Sequence, residues 1–190
     1  ENFYLTHWQT NTSLFRPNID LIRMLALNEQ DFEILREVRV PCNTLDEVLN
    51  EKGIQADVLK IDTQGSELKI LNGSKNQLQD SILAVESEVE FVELYRDQPL
   101  FAELDQFMRT SGFQLIDIGN LCYVKGAKSR GIGSRKGQLI SADTLYFKPI
   151  DPTVKLIIKA NDPEKKLMAI AKICLVYGYP DYVIEVVDRL

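Results

Sequence analysis

Apolar side chains in this chain fall into short continuous runs separated by stretches in which they recur at helical intervals. Phe3, Tyr4 and Leu5 open the chain as an aromatic and apolar run of strand type, followed by polar residues from Gln9 to Ser13 and by Pro17. Residues 20–35 mix apolar and charged positions without a sustained period and are read as irregular. A short extended piece is expected at Arg39 and Val40, because the residue before Pro41 is disfavoured from helix.

The pattern sharpens at Thr44. Thr44-Leu45-Asp46-Glu47 matches a capping box, in which the Thr hydroxyl accepts from the N3 amide while Glu47 reaches back to the cap amide. The helix it starts has an apolar face of Leu45, Val48 and Leu49 and a left-handed stop at Gly53. Residues 57–62, an apolar run bounded by polar residues, are too short for a helix and predict a buried strand. Thr63-Gln64-Gly65-Ser66-Glu67 turns the chain into a helix with Leu68 and Leu71 on one face, which breaks at Asn72-Gly73. Ser74 and Gln77 are placed to cap a further turn. Ile82-Leu83-Ala84-Val85, ending in Glu86, reads as a parallel strand covered on both faces. A helix over residues 100–110 stops near Gly112, and residues 113–118 form a third strand. Helix, strand, helix, strand, helix, strand is the order of a doubly wound α/β sheet.

Residues 125–138 hold four glycines and five basic side chains and are read as a mobile loop. Thr144 to Phe147 gives a last strand, and Pro149 and Pro152 separate it from a helical tail. In the tail, Leu167, Ile170, Ala171, Cys174 and Leu175 stand at helical spacing up to Gly178, and a second helix starts after Pro180. The expected organisation is one α/β domain over residues 1–150 and a helical extension, a small hairpin, over residues 151–190.

Composition narrows the functional classes. With 45% hydrophobic and 26% charged residues the chain is of ordinary globular type, and 22 basic against 28 acidic residues give a net charge of -6, which offers no global attraction to nucleic acid. Cys42, Cys122 and Cys174 are odd in number and far apart, fitting neither a disulfide framework nor a zinc site, and point to a reducing cytoplasm. The sequons at Asn11 and Asn72 are read as accidental. No apolar run approaches the roughly 20 residues that span a bilayer, so no membrane partner is expected.

Three stretches carry a family likeness: DVLKIDTQGSELKILNG (residues 57–73), AVESEVEFVELYRDQPLF (84–101) and SGFQLID (111–117), with weaker support from NTSLFRP (11–17) and QLISADTLYF (138–147). Together they resemble the FkbM methyltransferase family. The resemblance implies a Rossmann-like class I methyltransferase fold, with a mostly parallel sheet, one antiparallel strand and C-terminal helices. It also implies S-adenosylmethionine as cofactor and a small-molecule or carbohydrate hydroxyl as the methylated group. By that analogy residues 57–62, 82–86 and 113–118 are the fourth to sixth strands and 144–147 the antiparallel seventh. The first three strands, with their glycine loop and ribose-binding acid, are expected to lie upstream, which makes this chain the C-terminal portion of the fold. Gly131-Ile132-Gly133 follows no predicted strand and is a weak substitute.

Asp62 ends a predicted buried strand, where ligands of open α/β sheets bind, and is the candidate to orient an acceptor hydroxyl or take its proton. The plainer alternative is that it caps the next helix. Glu86 and Glu88 end the neighbouring strand, so Asp62, Glu86 and Glu88 form the candidate catalytic carboxylates; a solvated acidic rim or a metal site are the other readings of such a cluster. Asp62, Thr63 and Gln64 are the candidate cofactor contacts, with Gln64 standing where many relatives have Glu. Gly65 suggests close backbone approach, and Glu67 sits where the helix dipole favours an acid. Lys60 is expected to pair with a carboxylate. His7 is a lone imidazole with no identifiable partner. Lys128, Arg130 and Arg135, flanked by Lys125 and Lys136, are placed to receive an anionic acceptor such as a sugar phosphate.

The competing reading is a non-catalytic interaction domain that keeps the layers and has lost the cofactor site. A sugar-nucleotide or other Rossmann enzyme is a third class, but no nicotinamide or P-loop fingerprint supports it. Without the first three strands, the edge of the 57–62 strand is expected to be covered by Phe3 to Leu5 or by another chain, which makes a homo-oligomer one expectation.

Overall fold

A computed structural model describes residues 1–126 and 137–190. Its centre is a four-stranded mixed sheet of β3 (Val58–Ile61), β4 (Ala84–Glu90), β5 (Gln114–Val124) and β6 (Gln138–Phe147). The strand order is β3-β4-β6-β5. β3 runs parallel to β4, and β6 lies antiparallel between β4 and β5. Three strands therefore point one way and β6 the other.

Side-chain alternation along these strands splits the core in two. On one face Ile61, Val85, Val89, Ala142 and Tyr146 pack against Leu71 of α3 (Glu67–Asn72), Leu78 of α4 (Lys75–Asp80), and Leu104 and Met108 of α5 (Phe101–Thr110). On the other, Ala84, Leu145 and Phe147 meet α6 (Ile150–Lys159), α7 (Pro163–Tyr177) and α8 (Pro180–Val187) through Val154, Ile157, Ile170, Cys174 and Val186. The C-terminal tail is thus the second helical layer of the sheet. It holds three helices, not a hairpin, because Pro152 falls in the first turn of α6, where a missing N–H costs no helical bond.

α2 (Leu45–Lys52) begins with the complete Thr44/Glu47 capping box and ends at Gly53 with φ 63°. Capping of α4 differs from the expectation. The Ser74 hydroxyl donates back to the Ile70 carbonyl, and the α4 amides of Asn76 and Gln77 are instead bound by the Asp46 carboxylate of α2 at 2.9 and 3.0 Å.

The N-terminal stretch is more regular than its sequence suggests. β1 (Asn2–Thr6) pairs antiparallel with β2 (Ile34–Arg39), and α1 (Ile19–Met24) lies between them. β2 escaped notice because it is a half-exposed ribbon strand with charges at Arg36, Glu37 and Arg39, so its pairing is made by backbone with little apolar pattern. Since β1 pairs with β2, Phe3 to Leu5 do not cover the edge of β3, and among the described residues β3 has β4 as its only strand neighbour. β5 and β6 are longer than the predicted 113–118 and 144–147 segments. The register shifts between Gly119 and Cys122, with Asn120 at φ 48°, absorb what reads in sequence as a strand stop.

Lys128, Arg130, Arg135 and the Gly131-Ile132-Gly133 run lie outside the described residues, as does most of the loop expected at 125–138. The three cysteines are free, Cys42 and Cys122 exposed and Cys174 buried. Among the described residues no helix is long and apolar enough to cross a membrane.

The α7 layer is pinned by Lys166, which is 6% exposed and donates to Asp57 Oδ1 and the Ser81 carbonyl, each at 2.7 Å. Lys166→Ala leaves Asp57 unpaired at a partly buried position. It is expected to cost about 2–3 kcal/mol in urea denaturation, the low end for breaking a buried pair because water still reaches Asp57.

Candidate functional site

Parallel pairing of β3 with β4, Lys60 opposite Glu86 and Ile61 opposite Ser87, sets the carboxyl ends of both strands side by side. From the end of β3 the chain makes a tight turn through Asp62, Thr63, Gln64 and Gly65. Gln64 has φ 56° and Gly65 φ 96°. A left-handed non-glycine residue costs about 1–2 kcal/mol and persists only where its surroundings enforce it. Here the Ser13 hydroxyl donates to the Gln64 carbonyl at 2.6 Å, and the buried Glu67 carboxylate accepts from the Thr63 amide at 2.6 Å and from its hydroxyl at 3.0 Å. A Cβ on Gly65 would stand 3.2 Å from Cβ of Gln98, so the close approach expected of this glycine is made to another side chain.

The Gln64 side chain joins the two strand ends. Its Nε2 donates to Asp62 Oδ1 at 3.2 Å and to Glu88 Oε2 at 2.9 Å, and its Oε1 accepts from the Tyr95 hydroxyl at 2.9 Å. Asp62 is exposed, is bonded to this side chain, lies within hydrogen-bonding reach of Glu88, and does not cap the amides of α3. Glu88 is half-buried and Glu90 buried. Burial, then the charge of Glu90 and of Asp62, pushes the Glu88 carboxyl up to about 9. Burial, then Glu67 and Asp62, pushes Glu90 up to about 8. Burial also raises Glu67, against the hydrogen bonds that favour its charge. Gln98 lies close enough to Glu90 to favour the ionised form, yet its Nε2 makes no geometrically complete hydrogen bond.

Asp62, Thr63 and Gln64 line a cleft of about 740 Å³ whose other wall is the β1–β2 ribbon and the segment after β1, including Phe3, Thr6, Gln9, Thr12, Leu35 and Arg36. The three candidate cofactor contacts therefore share one open space. Glu88 stands behind Gln64, joined to Asp62 through its amide. Glu86 is elsewhere: its carboxylate is bound by Lys60 at 2.7 Å and by the Tyr177 hydroxyl of α7, so it serves to fasten α7 to the sheet, and the pairing expected of Lys60 is found here. His7 is exposed and outside the cleft lining. Among the described residues no group of three or more His, Cys, Asp or Glu side chains is arranged to hold a metal ion.

Sequence reasoning passed over Glu90, Tyr95, Gln98, Ser13 and Arg36. Glu90 was within reach of the strand alternation, which sets residues 86, 88 and 90 on one face. Arg36 was hidden with β2 itself. Ser13 and Tyr95 act across separations of 51 and 31 residues, which no local pattern encodes.

Residues 2–115 match the family model described as the methyltransferase FkbM domain, more than half of the 190 residues. No curated protein and no solved structure matches the chain.

The raised carboxyls set a pH dependence. Glu88 and Glu90 hold their protons in the fold above the unfolded value of 4.5, so the stability they contribute is complete below that value and is lost as pH rises through about 8 and about 9. Melting temperature is expected to fall between about pH 5 and pH 9. Glu88→Gln keeps an acceptor for Gln64 Nε2 and cannot ionise. It is expected to flatten this slope and raise the melting temperature above pH 9 by about 2–4 °C.

Proposed function

The chain belongs to the FkbM methyltransferase family, and from that premise we propose that it takes part in methyl transfer from S-adenosylmethionine to a hydroxyl oxygen of a carbohydrate or other small-molecule acceptor at the Asp62 cleft. The observation that carries this reading is the exposed Asp62 carboxylate at the carboxyl end of a parallel strand, opening on a cleft of about 740 Å³. The sheet order β3-β4-β6-β5 with β6 reversed supports reading these as the fourth, fifth, seventh and sixth strands of a class I methyltransferase sheet.

The donor set suits the proposed cofactor. The Asp62 carboxylate favours a cation, and the carboxylate, hydroxyl and amide of Asp62, Thr63 and Gln64 offer polar contacts on one wall of the cleft. S-adenosylmethionine, when bound, supplies a methyl group on a positively charged sulfur. Transfer of that methyl to a hydroxyl oxygen would leave the sulfur as a neutral thioether and release the acceptor's proton. Asp62, exposed and acceptor-only when ionised, is the group placed to receive that proton. Glu88 does not compete for this role, because its own proton is held up to about 9. Two carboxyls joined through one amide are thereby given different tasks by their surroundings. Arg36, on the opposite wall, suits an anionic group of donor or acceptor.

Asp62→Asn preserves shape and hydrogen bonding but removes the proton acceptor. With labelled S-adenosylmethionine and a panel of hydroxylated acceptors, it is expected to lower the methylation rate by about 10²-fold or more without unfolding the protein, since Asp62 is exposed. An unaltered rate sinks the assignment of Asp62. Failure of the native protein to methylate any acceptor while binding a protein partner through the same cleft would instead favour the interaction-domain reading.

A further inference from the structure

Tyr95 has no accessible surface and packs beside Ile22 and Phe32 in a small third core under the N-terminal segment. A phenylalanine ring would fill that space as well. What the phenol adds is a hydroxyl 2.9 Å from Gln64 Oε1 and 3.1 Å from the Asn11 carbonyl, with one proton to share between them. The backbone around it is tied to the same N-terminal segment: the Arg96 amide donates to the Arg16 carbonyl and the Asn18 amide to the Leu94 carbonyl, both at 2.8 Å. Gln98 completes the arrangement. Its Oε1 accepts from the Tyr95 amide at 2.5 Å, its side chain walls the space above Gly65, and its Nε2, in a residue 4% exposed, lies near Glu90 without completing a hydrogen bond.

A terminal amide has one donor end and one acceptor end, so whatever binds one end decides where the other points. With Oε1 held by the Tyr95 hydroxyl, the Gln64 nitrogen is turned to Asp62 and Glu88. Gln98 stands 3.2 Å from where a Cβ on Gly65 would lie, so it packs directly against the turn. We infer that Tyr95 and Gln98 are positioning residues that clamp the 62–65 turn, Tyr95 by fixing the polarity of the Gln64 amide toward the two carboxyls and Gln98 by walling Gly65. This deepens the methyl-transfer reading of the Asp62 cleft and rests on it for its functional consequence. Neither residue lines the cleft. Their effect passes through Gln64.

The clamp is tested first without donor or acceptor, by ¹⁵N–¹H spectroscopy of side-chain amides, the Gln64 pair being assigned by its loss in Gln64→Met. In Tyr95→Phe the Gln64 side-chain amide is expected to shift and to exchange with solvent about fivefold to tenfold faster, as for loss of one fixed hydrogen bond. Backbone protection in β4 and β6 is expected to stay as it is. Gln98→Ala is expected to speed exchange at the backbone amides of Gln64 and Gly65, and to do so much less in a Gln64→Gly background, where the left-handed conformation no longer needs enforcing. Should Tyr95→Phe not fold, Gln98→Ala tests the clamp on its own, and unchanged exchange at the Gln64 and Gly65 backbone amides overturns it. An unchanged Gln64 amide in Tyr95→Phe, or protection lost evenly across the sheet, overturns the clamp. In the methyl-transfer assay Tyr95→Phe is expected to lower kcat about tenfold with KM for the donor held within about twofold. A displaced Gln64 amide with unchanged kcat overturns the link to the reaction. Failure of the methyl-transfer reading itself appears separately, in Asp62→Asn, and leaves the spectroscopic result standing.

Discussion

The parallel register of β3 against β4 is the constraint from which the site follows. Because Lys60 lies opposite Glu86, the residues that leave both strands, Asp62 on one side and Glu88 with Glu90 on the other, emerge together at one end of the sheet. That concentrates carboxyls in a partly buried space, while the ammonium of Lys60 is hydrogen-bonded to Glu86. Such a concentration is tolerable only if some of the acids keep their protons and the rest face water. Burial grades the group accordingly, with Glu88 and Glu90 inside and Asp62 in the cleft.

Neutral polar groups then do what cations do elsewhere. Gln64 supplies a donor to two acids at once, and the Thr63 amide and hydroxyl serve Glu67. None of these groups adds charge, so the carboxylate of Asp62 faces the cleft without a cation of the turn beside it. A left-handed Gln64 is the conformational cost of this arrangement, and the hydroxyl of Ser13, arriving from the N-terminal segment, helps to hold it.

Local chemistry was legible where it stayed local. The Thr44 capping box, the Gly53 and Gly178 stops, the β3 run and the helical spacing through Cys174 all act within a few residues and stand in the structure as read, whereas β4 begins two residues later than its apolar run and continues through the alternating acids to Glu90. β2 was opaque because its partner residues are 28 to 37 positions away and its own side chains are half charged. α6 was hidden by Pro152, which marks a break in most helical patterns but is harmless in a first turn. In the site, Asp62 and Glu88 could be named from strand-end position alone. Glu86 could not be separated from them, because only the arrival of Tyr177 from α7 shows that it faces the helical layer. Tyr95 reads in sequence as one more aromatic of the 84–101 segment, and its hydroxyl acquires meaning only when the chain folds back on Asn11 and Gln64.

Two lysines are among the deeply buried side chains. Lys166 sits under α7 on Asp57 and the Ser81 carbonyl, and Lys148, 5% exposed, places its ammonium 4.3 Å from the centre of the Phe113 ring, with burial lowering its pKa. Both amines are shielded from amine-directed reagents and acylating enzymes in the folded molecule, while exposed lysines such as Lys69 and Lys75 are open to them. Acylation found at Lys166 therefore records an excursion in which α7 has lifted from the sheet, and at Lys148 one in which the end of β6 has been uncovered. The chain thus carries two built-in chemical reporters of partial opening, one beneath α7 and one beside β6.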